Sequence, residues 1–144
     1  MFQGRFAHTV DTKGRTSIPS KFREVLAANY DERLILTNMD GALSAYPASE
    51  WQIIVNKVAE KPQFREDIKA LQRFFISAAT ECPVDKQGRI VIPPTLRDYA
   101  ALKKDIVLLG LTRKIEIWSK ERWEEISPKM EKKISEGGLS DLGL

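Results

Sequence analysis

An aspartate, a glycine and an arginine stand at one spacing in two places. Asp11, Gly14 and Arg15 lie in VDTKGRTSIP (residues 10–19), and Asp85, Gly88 and Arg89 in VDKQGRIVIP (residues 84–93). Glycine at these positions suits a turn that needs a positive φ. A turn reverses the chain, so its aspartate and arginine ends can approach each other. The carboxylate can accept backbone N–H bonds within the turn, or pair bidentately with an arginine, its own or that of the other copy. Lys13 and Arg15 flank Gly14, which lets a ligand come close to the backbone. An ammonium and a guanidinium on a stiff turn suit phosphates and guanine edges. The same phrase also fits a plainer role, a turn with an ion pair that joins two halves of the molecule.

The charge distribution supports the anionic partner. The chain of 144 residues carries a net charge of +3, yet residues 1–23 hold Arg5, Lys13, Arg15, Lys21 and Arg23 against Asp11 alone. Concentrated positive charge matters more for phosphate binding than the total. Catalytic readings fit poorly. Two aspartates related by a repeat resemble an acid protease dyad, but Lys13 and Lys86 beside them favour two ionised groups instead of one shared proton. One histidine, His8, and one cysteine, Cys82, are too few for a zinc site of the usual kind. No phosphate-cradling glycine loop or nucleophile elbow is present. The expectation is a binding protein, not an enzyme, with no cofactor, no metal and no small-molecule substrate.

The elements that must position these groups form a duplication. At an offset of 74, Val10, Asp11, Gly14, Arg15, Ile18, Pro19 and Arg23 fall on Val84, Asp85, Gly88, Arg89, Ile92, Pro93 and Arg97. At an offset of 72, Tyr46, Trp51 and Ile54 fall on Trp118, Trp123 and Ile126. Each copy predicts a strand (6–10; 75–84), a turn (12–14; 86–88) and a β-branched strand (16–18; 90–92) ended by proline. Phe22, Val25 and Leu26, matched by Leu96, Tyr99 and Ala100, predict a short helix. A hairpin follows (33–36 with 42–46; 106–111 with 115–118), then an amphipathic helix. Trp51, Ile54, Val55 and Val58 line the first such helix, and Trp123, Ile126 and Met130 the second. Pro47 and Ser119 suit the starts of these helices. After Pro62, a linker helix carries Phe64, Ile68, Leu71 and Phe75. The large aromatics, Phe64 included, read as packing groups. Copies of this size share one core most readily. The architecture expected is α+β with a mainly β core, a pseudo-twofold closed or intertwined β-barrel with peripheral helices.

Composition, with 42% hydrophobic and 30% charged residues, supports a folded core. No apolar run approaches the roughly 20 residues that cross a bilayer, and the opening MFQGRFAHTVD lacks the apolar region of a secretory signal. A single cysteine fits a reducing cytoplasm.

The opening MFQGRF, the phrase DTKGRTSIPSKFRE and its second form DKQGRIVIPPTLRD resemble the MraZ family, over residues 1 to about 135. That resemblance implies two AbrB-like repeats in one chain, forming a swapped-hairpin, double-psi-like β-barrel. The boundaries expected are 1–74 for the first repeat with its linker helix, 75–135 for the second, and 136–144 for a flexible tail. It also implies a cytoplasmic, nucleoid-associated transcriptional regulator that binds double-stranded DNA. Its target would be short direct repeats in the promoter of the division and cell-wall gene cluster, bound as a ring-shaped homo-oligomer without membrane contact. The family's Asp-x-x-x-Arg motif falls on Asp11 and Arg15, and again on Asp85 and Arg89, the arginine belonging to the DNA-contacting loop. The second copy departs from the pattern: Gln87 replaces the lysine, and Lys86 stands one position earlier.

The expected interface is one basic face of Arg5, Lys13, Gly14, Arg15, Lys86 and Arg89. Phosphate contacts would hold the duplex and Arg15 would read a base edge. Asp11 and Asp85 would brace the motif, orienting the arginines and joining the halves. Two rivals use the same fold: an antitoxin-like DNA-binding module whose tail grips a protein partner, and a non-catalytic assembly protein.

Overall fold

The computed structural model describes residues 1–144. Each copy of the repeat supplies four strands. The first copy contains β1 (Phe2–Thr9), β2 (Arg15–Ser17), β3 (Arg33–Met39) and β4 (Ala42–Pro47). The second contains β5 (Thr80–Pro83), β6 (Arg89–Val91), β7 (Asp105–Thr112) and β8 (Lys114–Ser119). Six of them form an antiparallel sheet in the order β1-β7-β8-β4-β3-β5, and β2 pairs with β6 in a separate ribbon. Exchanging the copies turns this order into its own reverse, which is the mark of a pseudo-twofold.

The pairing crosses between copies. β1 runs against β7 from Phe2↔Thr112 to Thr9↔Asp105, and β5 runs against β3 from Arg33↔Pro83 to Leu36↔Thr80. The first strand of each copy is therefore completed by the hairpin of the other. The hairpins themselves meet at the centre, with Leu43↔Ile117 and Ala45↔Ile115. Neither copy can satisfy its backbone groups alone.

The ladder is open, so of the closed or intertwined β-barrel expected, the closed form is absent. β1 and β5 end it, each paired on one side only. The physical reason lies in the short strands that follow them. β2 and β6 have three residues each and pair with one another, so neither extends the main ladder towards closure.

One hydrophobic cluster takes equivalent residues from both copies: Ile18 with Ile92, Phe22 with Leu96, Leu26 with Ala100, and Leu34 with Ile106. The second copy's helix positions are smaller. Phe2 and Phe6 fill space beside Phe22, at ring-centroid separations of 5.7 and 5.1 Å. The short helices α1 (Ser20–Asn29) and α4 (Pro94–Tyr99) bury Phe22, Leu26 and Leu96 against this cluster. They begin directly after Pro19 and Pro93, whose φ of −50° and −57° leads the chain from strand into helix.

Three outer helices complete the chain: α2 (Ala48–Ala59), α3 (Glu66–Leu71) and α5 (Lys120–Ser135). Pro47 precedes α2, and Ser119 Oγ caps α5 by accepting the Arg122 N–H at 3.0 Å. The strand expected over 75–84 shrinks to Thr80–Pro83. The reason is that α3 continues as a π-turn, Gln72–Ile76, which buries Phe75 beside Tyr46 and Trp51. Phe64 is not a packing residue: it precedes α3, is 88% exposed and lies under the Lys69 ammonium. Of the apolar side chains of α5, Trp123 and Ile126 pack inward, on Trp118, Val107 and Leu109, while Met130 stays exposed. The segment after α5 contains a single exposed 3₁₀ turn, Ser140–Leu142. No helix is long and apolar enough to cross a membrane.

Candidate nucleic-acid interface

The β2–β6 ribbon positions both repeated phrases. Its register pairs Arg15 with Val91, Thr16 with Ile90, and Ser17 with Arg89. Residues opposite each other in an antiparallel pair project to the same side, and neighbours along a strand alternate. Thr16 and Ile90 point inward and are buried. Arg15, Ser17, Arg89 and Val91 therefore form the outward face. Same-face positions along a strand lie about 7 Å apart. The two turns leave opposite ends of the ribbon, carrying Lys13 at one end and Lys86 at the other, both exposed.

Each turn is built around its aspartate. Asp11 Oδ1 accepts the backbone N–H of Lys13 and of Arg15, both at 2.9 Å, and its Oδ2 accepts Arg15 Nε–H at 2.7 Å. Asp85 Oδ1 accepts the N–H of Gln87 at 2.8 Å and of Arg89 at 3.0 Å. Of the pairings open to the aspartates, the structure adopts the one within each turn. Arg89 Nε stands 3.6 Å from Asp85 Oδ2, and this buried nitrogen has no hydrogen-bond partner. Both carboxyls titrate below the usual aspartate range. The backbone N–H of Arg15 is the chief cause for Asp11, and that of Arg89 for Asp85. The acid-dyad chemistry, which needs a shared proton, is thus opposed by the local bonding.

Gly14 and Gly88 have φ of +84° and +77°. A Cβ on Gly14 would also sit 2.6 Å from Ile92 O, inside any tolerable contact. The closeness reflects the junction between copies. Ile92 N–H donates to Gly14 O, and Ile18 N–H donates to Gly88 O, both at 2.8 Å. These bonds and the ribbon join the halves, while the carboxylate bonds all remain inside their own turns.

Lys13, Gly14, Arg15, Lys86 and Arg89 are brought together at the ribbon. Arg5 is not. It lies on β1 opposite Leu109, with its guanidinium 5.6 Å from the ring centre of Trp123 on α5. Six residues of extended chain separate it from Asp11, about 20 Å. Ser17 and Val91 complete the outward face, and the period-two alternation of TSI and IVI is the sequence signal that marks them.

His8 and Cys82 sit in β1 and β5, opposite Ile106 and Leu34. The His8 ring bonds to Ser17 O through Nδ1 at 2.7 Å. Cys82 is buried, and burial pushes its thiol up to about 11, which suits a packing residue and not a nucleophile. No group of three or more histidine, cysteine or acidic side chains is placed to hold a metal ion.

Comparison with known proteins matches the chain to one family profile twice, over residues 1–74 and 75–138; its description reads "MraZ protein, putative antitoxin-like". Among curated relatives, a "Transcriptional regulator MraZ" of Lachnoclostridium phytofermentans is 46% identical, over 100% of this chain and 99% of its own. Proteins of the same name from Pediococcus pentosaceus and Natranaerobius thermophilus are 42% and 43% identical, over 100% and 91% of this chain and 100% and 90% of theirs. A solved structure, "The solution structure of PHS018 from pyrococcus horikoshii", shows a slight likeness, with TM-score 0.35 and 18% identity over 81% of this chain and 88% of that one.

Proposed function

The chain belongs to the MraZ family, and from that premise we propose that it is a DNA-binding transcriptional regulator whose β2–β6 ribbon meets the duplex. The observation that carries this reading is the outward ribbon face. It combines Arg15 and Arg89 with Lys13 and Lys86 at its ends, on turns stiffened by two ionised aspartates. A two-stranded ribbon is one of the shapes that enters a DNA groove. The relatives' shared name supports regulation of transcription as the purpose of the binding.

Lys13 and Lys86 serve as phosphate contacts and Arg15 as the reader of a base edge, with Arg89 as its pseudo-twofold partner. Asp11 and Asp85 brace and do not touch DNA. Arg5 contributes positive charge from β1 but lies outside the contact face. The working units are the repeats 1–74 and 75–135, with 136–144 as a tail. The target is the promoter of the division and cell-wall gene cluster, read at short direct repeats. The chain acts in the cytoplasm at the nucleoid, as a ring of identical subunits. A ring presents several ribbons to several repeats, so weak single contacts multiply through effective concentration.

The test is Arg15→Ala in fluorescence anisotropy with the DNA upstream of the chain's own gene, titrated with salt. Affinity is expected to fall by about 1–3 kcal/mol, roughly ten- to hundredfold, with discrimination relaxed at one base pair, while Lys13→Ala weakens binding to all sequences alike and makes the log–log salt slope shallower by about 0.9. Unchanged affinity and slope would remove the ribbon from the binding surface.

A further inference from the structure

Arg23 and Arg97 are equivalent residues of the two copies, in α1 and α4, and have no part in the contacts above. Each is tied to its own copy first. Arg23 Nε–H donates to Ile18 O at 3.0 Å, and Arg97 Nε–H donates to Ile92 O at 2.9 Å. These carbonyls lie at the exits of the ribbon strands.

The guanidinium groups then reach into the opposite copy. That of Arg97 lies against Gly14, where a Cβ would stand 2.9 Å from both Nε and Cζ, and its Nη1 is 3.5 Å from Thr12 O. That of Arg23 lies against Gly88, where a Cβ would stand 2.8 Å from Cζ and from Nη1. The missing side chain of each turn glycine is the space the arginine occupies. A planar guanidinium with donors directed by its fork suits such a seat, and a lysine does not reproduce it.

We propose that Arg23 and Arg97 are positioning residues that support the DNA-facing turns in exchange. Arg97 of the second copy sits against Gly14 and the Thr12 carbonyl, and Arg23 of the first sits against Gly88. Each turn is thus held by the helix of the other copy, and the two are set as one surface. The word DNA-facing rests on the function proposed above; the support itself does not.

The experiment uses the full chain with Arg23→Met and Arg97→Met, which keep the stem and remove the fork. Hydrogen exchange read by mass spectrometry reports each turn separately. Arg97→Met is expected to speed exchange in residues 11–15 and leave 85–89 as in wild type. Arg23→Met is expected to do the reverse. On the upstream DNA fragment, each is expected to lose about tenfold in affinity. The salt slope should stay within about 0.3 of wild type, because no phosphate contact is removed. Arg23→Lys and Arg97→Lys should recover only part of the exchange protection.

A slope shallower by about 0.9 with unchanged exchange would make these arginines phosphate contacts and overturn the proposal. Faster exchange in the turn of the arginine's own copy, or in neither turn, would overturn it as well. Should a methionine variant not fold, the lysine variant decides on the same two readouts. Wild-type protein without salt-dependent DNA binding would sink the proposed function, while the exchange measurement would still judge the support.

Discussion

The turn at Asp11–Arg15 and the turn at Asp85–Arg89 share a backbone and differ in their cations. Both fold around an aspartate that accepts two backbone N–H groups, and both pass through a glycine at positive φ. In the first, Arg15 is held by Asp11 at 2.7 Å and Lys13 stands at the tip. In the second, Arg89 Nε is 3.6 Å from its carboxylate, and Gln87 takes the place of Lys13. Aspartate and glycine therefore set the shape of the turn, and the side chains between them set its charge. The first turn offers a preorganised arginine; the second offers one with less to hold it.

The glycines give the sharpest way to break this equivalence. Gly14→Ala places a Cβ 2.6 Å from the Ile92 carbonyl, which is backbone, and 2.9 Å from the Arg97 guanidinium, while the three atoms nearest a Cβ on Gly88 all belong to the Arg23 side chain. Both incur the positive-φ strain of about 1–2 kcal/mol. Gly14→Ala is expected to cost about 3 kcal/mol in total, and Gly88→Ala about 1–2, as read by denaturant unfolding. Equal losses would mean that the two turns are equally confined.

A smaller effect tests the charge difference. Gln87→Lys gives the second turn the cation of the first. DNA affinity should rise a few-fold, and the salt slope should steepen by about 0.9, in anisotropy titrations. No change in slope would place the tip of the second turn away from the phosphates.

The smallest effect is acid sensitivity, because both carboxylates are exposed. Their folded values lie below the unfolded one. Their stabilisation is thus fully present above about pH 4 and is lost as pH falls through the lowered folded values. Asp11→Asn should flatten the decline of stability below about pH 4, seen in acid unfolding followed by circular dichroism. An acid limb as steep as that of wild type would mean that the carboxylate contributes nothing.

Legibility followed distance along the chain. The turns, the proline-ended strands and the buried faces of α1 and α4 rest on neighbours within a few residues, so their patterns were readable. Nearness in sequence and in charge groups Arg5 with the turns. An extended β1 carries it away, onto Trp123. Periodicity puts Phe64 on a helix face, but α3 begins only at Glu66. The pairing of β1 with β7 and of β5 with β3 joins segments about a hundred and about fifty residues apart. Periodicity specifies which face of a strand is apolar, not which strand lies beside it.

Residue type and spacing alone settled that the chain is duplicated, that each copy holds an aspartate-braced turn, and that positive charge gathers around the first. Tertiary structure alone decided that the strands pair across copies and that the ladder stays open. It also decided that each turn glycine makes room for an arginine from the opposite half. Turn chemistry acts over a few bonds and is written locally. Partnership between strands depends on which hydrophobic faces can be buried together, and that is settled only when both copies share one core.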